Sequence, residues 1–343
     1  MWRRIQLIVR RRSLAVSLLA AALAGCGSDE ETAPGPSAEL SVPAAGWKTD
    51  FKRHVVPLDQ FQSGGPGKDG IPAIDEPRFL PVRKVDVVEP KEPVIELVVH
   101  GRARAYPIQI LIWHEIVNDE VGGVPVAVTF CPLCNTSLVF DRRVGGRTLD
   151  FGTTGNLRNS DLVMYDRQTE SWWQQFGGAG LVGRYAGARL DVIPSRIVAW
   201  AQFRREHPHA LVLSRDTGHP RAYGQNPYEG YDEVRSRPIF PTRRDDDDRL
   251  SPKERVVFVE RGDDAVAIPF SILERRVVRV EVGGHRLVAR WRGGVASALD
   301  SPLISLGRDV GTAEVRENGR LVEFDQPFWF TVAAFRPNTR VIR

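Results

Sequence analysis

The stretch Val124-Pro125-Val126-Ala127-Val128-Thr129-Phe130-Cys131-Pro132-Leu133-Cys134-Asn135-Thr136-Ser137-Leu138-Val139-Phe140 decides how this chain is read. Val124–Phe130 and Ser137–Phe140 are β-branched and aromatic runs, set between the glycine pairs Gly122-Gly123 and Gly145-Gly146. Such runs read as strands. The two cysteines therefore sit in a short turn between strands. A thioredoxin-like dithiol instead opens a helix, whose N-terminus lowers the thiol pKa. Strand, Cys-Pro-Leu-Cys, strand is the shape of a metal knuckle, which presents two thiolates to one ion, whereas a closed zinc site wants four ligands. A disulfide across two residues closes so small a loop that it adds little stability. Metal ligation, thiol–disulfide exchange and a structural disulfide in an envelope scaffold all stay open on these residues.

Outward from this stretch the chain repeats itself. Lys91-Glu92, Val94, Ala105, Pro107, Ile110 and Leu111 match Lys253-Glu254, Val256, Ala267, Pro269, Ile272 and Leu273 at an offset of 162. Glu120-Val121-Gly122-Gly123 matches Glu281-Val282-Gly283-Gly284 at 161, and Trp200 and Pro208 match Trp329 and Pro337 at 129. Ordered offsets of this kind mark a divergent internal repeat. The expected fold is a β-rich α+β class with two related lobes. Further strands are expected at Val94–Val99, Val256–Val259 and Arg286–Trp291, and a short helix from Pro107 to Asn118. The second lobe reads as degenerate: Cys131 and Cys134 fall on Arg292 and Val295, and His114 falls on Arg275 or Arg276.

The N-terminus reads as an export signal. Arginines 3, 4, 10, 11 and 12 precede an apolar run that is too short to span a bilayer and ends in Leu23-Ala24-Gly25-Cys26. The expectation is a lipoprotein signal peptide over 1–25 and a membrane anchor through lipidated Cys26. Gly27 favours the periplasmic face of the outer membrane over the inner membrane. Loss of five arginines and no acid takes the formal charge from +4 to −1, which leaves no electrostatic case for nucleic-acid binding. The expected divisions are a flexible tether over 26–46, a lobe with the CPLC site over 47–238, an acidic linker over 239–252 and the degenerate second repeat over 253–343. Gly64-Gly65-Pro66-Gly67 lacks the ending of a phosphate-binding loop, and Asp245–Asp248 lacks the spacing of a calcium loop.

Other polar residues cluster in the sequence. Trp113-His114-Glu115 lies on the short helix. Asn159, Asp161, Tyr165, Arg167 and Trp172 fall in the stretch the second copy lacks, where they either line a polar pocket or form a self-satisfied loop. No nucleophile elbow or Ser-His-Asp pattern appears, so a hydrolase built on Glu115 and Asp161 ranks last and no catalytic residue is assigned.

The string TFCPLCNTSLVFDR, followed by DFGTTG, NSDLVMYDR, LSRDTG and YGQNPYEGY, resembles the bacterial and archaeal domain-of-unknown-function family 3179. So do Trp113–Asp119 and the segment from Lys52 to Pro72, so the resemblance runs from about Thr49 to the C-terminus. Asn135 stands where the family usually has glycine. The resemblance implies no assigned reaction, but it adds His54 to the candidate ligands. Cys131, Cys134, His114 and His54 would then form a Cys₂His₂ set suited to zinc or copper. Glu115 and Asp161 are the expected outer partners.

Overall fold

The residues on both sides of the cysteines form strands because alternating Val, Thr and Phe side chains fill the pleated, half-buried surface that favours β structure. Val124–Cys131 (β6) and Thr136–Asp141 (β7) pair antiparallel, with Cys131 opposite Thr136, so the CPLC turn is the tip of a hairpin. Asn135 closes that turn at φ +55°, a left-handed position that asparagine tolerates better than most residues and that glycine fills freely. The computed structural model describes residues 39–343; Cys26 and the signal-peptide segment lie outside the described residues.

The hairpin belongs to a sheet ordered β14 (Val192–Ile193), β7, β6 and β5 (Ile116–Val121). An antiparallel sheet beside it runs β1 (Phe61–Ser63), β10 (Phe151–Arg158), β11 (Asp161–Asp166), β12 (Trp172–Gln174) and β13 (Gly180–Val182). A third sheet runs β15 (Ser195–Ala199), β3 (Pro93–Val99), β4 (Arg102–Pro107), β16 (Leu211–Leu213) and β2 (Phe79–Pro81). The later chain adds β17 (Val256–Arg261), β18 (Asp264–Pro269) and β23 (Arg340–Val341) in one sheet. It adds β19 (Val278–Val282), β20 (His285–Arg292), β21 (Thr312–Glu317) and β22 (Arg320–Leu321) in another. A small hairpin, β8 (Arg143–Val144) and β9 (Arg147–Thr148), turns at Gly145-Gly146. Short helices α1 (Ile108–His114), α2 (Trp200–Glu206), α3 (Phe270–Leu273) and α4 (Trp329–Phe335) complete a β-rich fold.

One pairing pattern occurs twice. Val94 faces Pro107 and Val256 faces Pro269; Ile116 faces Thr129 and Val278 faces Ala289. Leu211 lies parallel to Arg104, and Arg340 lies parallel to Val266. Pro93 bridges Ala199, and Arg255 bridges Phe328. The later half also has its own core, around Val257, Ile268, Leu287 and Val315. Even so, Leu299, Ile304, Phe328 and Phe330 pack into the core built mainly by the earlier half.

Four expectations change. The helix after Pro107 ends at His114, not Asn118: Glu115 takes φ +59°, and Ile116–Val121 is drawn into pairing with β6. The Asn156–Trp173 stretch is neither pocket loop nor irregular. It is mostly the β10–β11 hairpin, reversed at Asn159-Ser160 with positive φ at both residues, the requirement of a two-residue strand turn. Ordered chain also begins before Trp47: Val42 is buried with Leu58 and Phe61, and Ser41 Oγ donates to Leu58 O. The acidic run is tied down as well, since Asp247 accepts from Arg249 and from Trp329 Nε1.

Candidate functional site

Hairpin geometry brings the two thiols together, and the neighbouring sheet supplies what they meet. Cys131 ends β6 and Cys134 sits three residues on in the turn; both are free thiols, and both are buried. Asp161 is the first residue of β11, aimed by the Asn159-Ser160 reversal just before it. Its side chain is fully buried, and Cys134 Sγ lies 2.9 Å from Asp161 Oδ1. The two sulfurs and an Asp161 carboxylate oxygen all lie within 4.8 Å of one another.

Asp161 is held as a ligand would be. Its Oδ2 accepts from Phe176 N at 2.9 Å and from Gln174 Nε2, leaving Oδ1 for the sulfur. Gln174 Oε1 in turn accepts from Arg158, so that guanidinium stands one amide away and does not touch the carboxylate. On the other side Cys134 Sγ meets Thr136 Oγ1 at 3.0 Å, Thr136 donates to Gln175 Oε1, and Gln175 Nε2 donates to Thr129 Oγ1. Since Thr136 gives its hydrogen to Gln175, both of these sulfur contacts call on the one hydrogen of the Cys134 thiol. The two contacts close together when Asp161 also carries a proton, which it gives to the sulfur while the thiol hydrogen goes to Thr136.

Electrostatics point the same way. Burial pushes both thiols up, and the nearby Asp161 charge adds to the rise. Burial raises Asp161 to about 6 despite the hydrogen bonds it accepts. Glu115, directly after α1, is buried and raised to about 8 by burial and then by Asp161. Its backbone O accepts from Phe130 N, which fixes the residue beside β6. A buried non-glycine residue at positive φ is uncommon and gathers at functional sites. Two thiols and the Asp161 carboxyl thus converge out of water, with Glu115 close enough to raise Cys131 further. That is a costly arrangement unless they stay protonated or share a metal ion.

The other expected residues lie elsewhere. His114 is fully buried, but its Nδ1 meets Pro72 O at 2.7 Å and its Nε2 meets Tyr223 OH at 2.6 Å, so both ring nitrogens are engaged. Burial lowers it to about 4, so the ring is neutral at pH 7. His54 bonds Val56 O and bridges to Val182 in another sheet. Neither histidine belongs to the group around the sulfurs. Tyr165 OH donates to Asp69, and Arg167 links Asp69 to Asp75. Trp172 is packed edge-on by Trp47, Phe51 and Phe61, and Asn159 accepts from Arg243 N. Thr136, Gln174 and Gln175 escaped the sequence reading; their one signal is the polar face of short strands flanking the cysteines and Trp172-Trp173.

The later half grips the turn. Phe328 N donates to Cys134 O at 2.9 Å, Asn135 Nδ2 donates to Gln326 O at 2.7 Å, and Ser137 N donates to Asp325 Oδ1 at 2.9 Å. Tyr231 OH donates to Leu133 O from a third direction.

No curated protein and no solved structure matches the chain. The family described as "Protein of unknown function (DUF3179)" matches residues 68–339, which agrees with the resemblance read from the CPLC, WHEIVND and KDGIP motifs. The chain belongs to the DUF3179 family.

Proposed function

We propose that this protein is an envelope lipoprotein that holds one zinc or copper ion on Cys131, Cys134 and Asp161. The observation that carries the reading is the mutual approach, within 4.8 Å, of two thiol sulfurs and a carboxylate oxygen, all buried. A thiolate-rich set with one or two oxygens suits zinc or copper, while magnesium and calcium prefer all-oxygen shells. Metal binding would displace the protons that burial keeps on these groups. Gln174 and the Phe176 amide then orient the Asp161 ligand as outer partners do in metal sites. Titrating the metal-free chain with zinc and with copper(I) tests this: one tightly bound ion per chain is expected, lost in Cys134→Ser and Asp161→Asn.

Thiol–disulfide exchange is the second reading, favoured by two free thiols at two-residue spacing. Against it, strand β7 follows the second cysteine, so no helix N-terminus stabilises a thiolate, and burial raises both thiols. Weak or absent insulin reduction is expected.

The two pairing patterns at offsets of 162, 161 and 129 support a finer account of the fold, in which two copies of one β–β–α–β–β unit descend from a duplication. The copy spanning 253–343 lost the ligands and kept the scaffold. A structural role as an envelope scaffold would leave the buried acids unexplained. The anchor itself rests on the Leu23–Cys26 signal.

A further inference from the structure

Where the two halves meet, on the outer face of β7, a cavity of about 80 Å³ opens to solvent. Its apolar lining is Leu138 on β7, Phe176, Val192 on β14, Phe258 on β17 and Phe324, and Arg189, Glu260, Arg261 and Glu323 line it as well. One buried acid lines it, Asp325, only 4% exposed.

The Asp325 carboxylate is fixed but half used. Oδ1 accepts from Ser137 N at 2.9 Å and from Gln326 N at 2.7 Å, while Oδ2 is buried with no hydrogen-bond partner. Leaving a buried carboxylate oxygen without a donor costs free energy that a charged donor would recover. The arginines lining the same cavity do not supply that donor. Arg189 pairs with Glu260 at 3.3 Å; Arg261 donates to Glu260 O and Glu323 O and pairs with the Glu323 carboxylate at 3.6 Å. The charged lining residues thus pair with one another, and the buried Asp325 oxygen is left beside apolar side chains, the mix of apolar surface and a few fixed polar groups that small-ligand sites use.

We propose that this cavity binds a small primary ammonium with a short alkyl body, its –NH₃⁺ on Asp325 Oδ2 and its carbons against Phe176, Phe258 and Phe324. A carboxylate in an apolar wall selects a cation with a compact hydrogen-bonding head, and the volume suits a body of a few carbons. The proposal is independent of the metal reading, because none of its residues is a proposed metal ligand.

The test uses the purified full chain and n-propylammonium, followed by calorimetry or saturation-transfer NMR, with 1-propanol as the neutral isostere. Saturable propylammonium binding at least ~10-fold tighter than propanol is expected. Asp325→Asn keeps an acceptor for Ser137 N but removes the charge, and should weaken propylammonium at least ~10-fold while leaving propanol unchanged. Val192→Phe fills the cavity from a partly exposed edge strand and should abolish binding of both. No saturable binding, equal affinity for propanol, or binding indifferent to Val192→Phe would each overturn the assignment. Should Asp325→Asn fail to fold, the wild-type preference and Val192→Phe still decide the matter.

Discussion

Asp161 carries more of this account than either cysteine, because it turns a pair of thiols into a three-donor site. Asp161→Asn preserves shape and the hydrogen bond to one neighbour but removes the charge. Metal affinity should fall roughly 100-fold or more, whereas Gln174→Ala should cost the smaller 10- to 100-fold expected of an outer partner. Competition against a chelator of known affinity measures both. His114→Ala should leave that affinity within about threefold and act instead on stability, because the ring holds Pro72 and Tyr223. The raised carboxyls set a pH dependence. Glu115, at about 8 against an ordinary 4.5, and Asp161, at about 6 against 3.8, hold more protons folded than unfolded. These two groups therefore stabilise the metal-free protein most in acid, and their contribution falls as pH rises from about 4 to 8, by on the order of a few kcal/mol. Metal-loaded protein should not show that fall over the same window, since bound cation replaces the protons. Thermal melts of both forms at pH 5 and pH 8 check the sign.

At the scale of elements, the β6–β7 hairpin was legible because its signal is local: alternation, β-branching and glycine pairs lie within the strands themselves. The turn residue Asn135 was legible too, since only a residue tolerant of positive φ suits that position. Asn135→Val should destabilise the protein by about 1–3 kcal/mol, while Asn135→Gly trades the lost bond to Gln326 for a relaxed backbone and stays within about 1 kcal/mol. Denaturant unfolding of the two variants distinguishes them. What the sequence hid was partnership between elements. His114 looked like a ligand because the second copy lacks it together with both cysteines, yet the reversal at Glu115 leaves its ring against Pro72 and Tyr223 and brings Glu115 toward the sulfurs. Asp161 was expected only as an outer partner, because the Asn159-Ser160 strand turn that aims it at the sulfurs carries no pattern distinct from a loop. The grip of Asp325, Gln326 and Phe328 on the cysteine turn crosses nearly two hundred residues, and no local pattern announces a contact of that span.

For the whole molecule, the proposed duplication makes the second half worn in its chemistry and retained for its support. A chain ending at residue 252 loses Phe328, Phe330, Leu299 and Ile304 from the main core, and the bracket on the turn. It should not fold cooperatively, as circular dichroism on heating would show. At the other end, Cys26→Ala should abolish palmitate labelling, and absence of label from the wild type would remove the anchor from the account. The central claim, that two thiols and Asp161 hold one metal ion, is tested most directly by X-ray absorption on the chain lacking residues 1–26, loaded with one equivalent of zinc or copper(I). The account predicts two sulfurs at about 2.3 Å with one or two oxygens near 2.0–2.2 Å for zinc, and loss of an oxygen in Asp161→Asn. A shell containing imidazole and no sulfur, or no stoichiometric metal on a protein whose two thiols remain free, would contradict it.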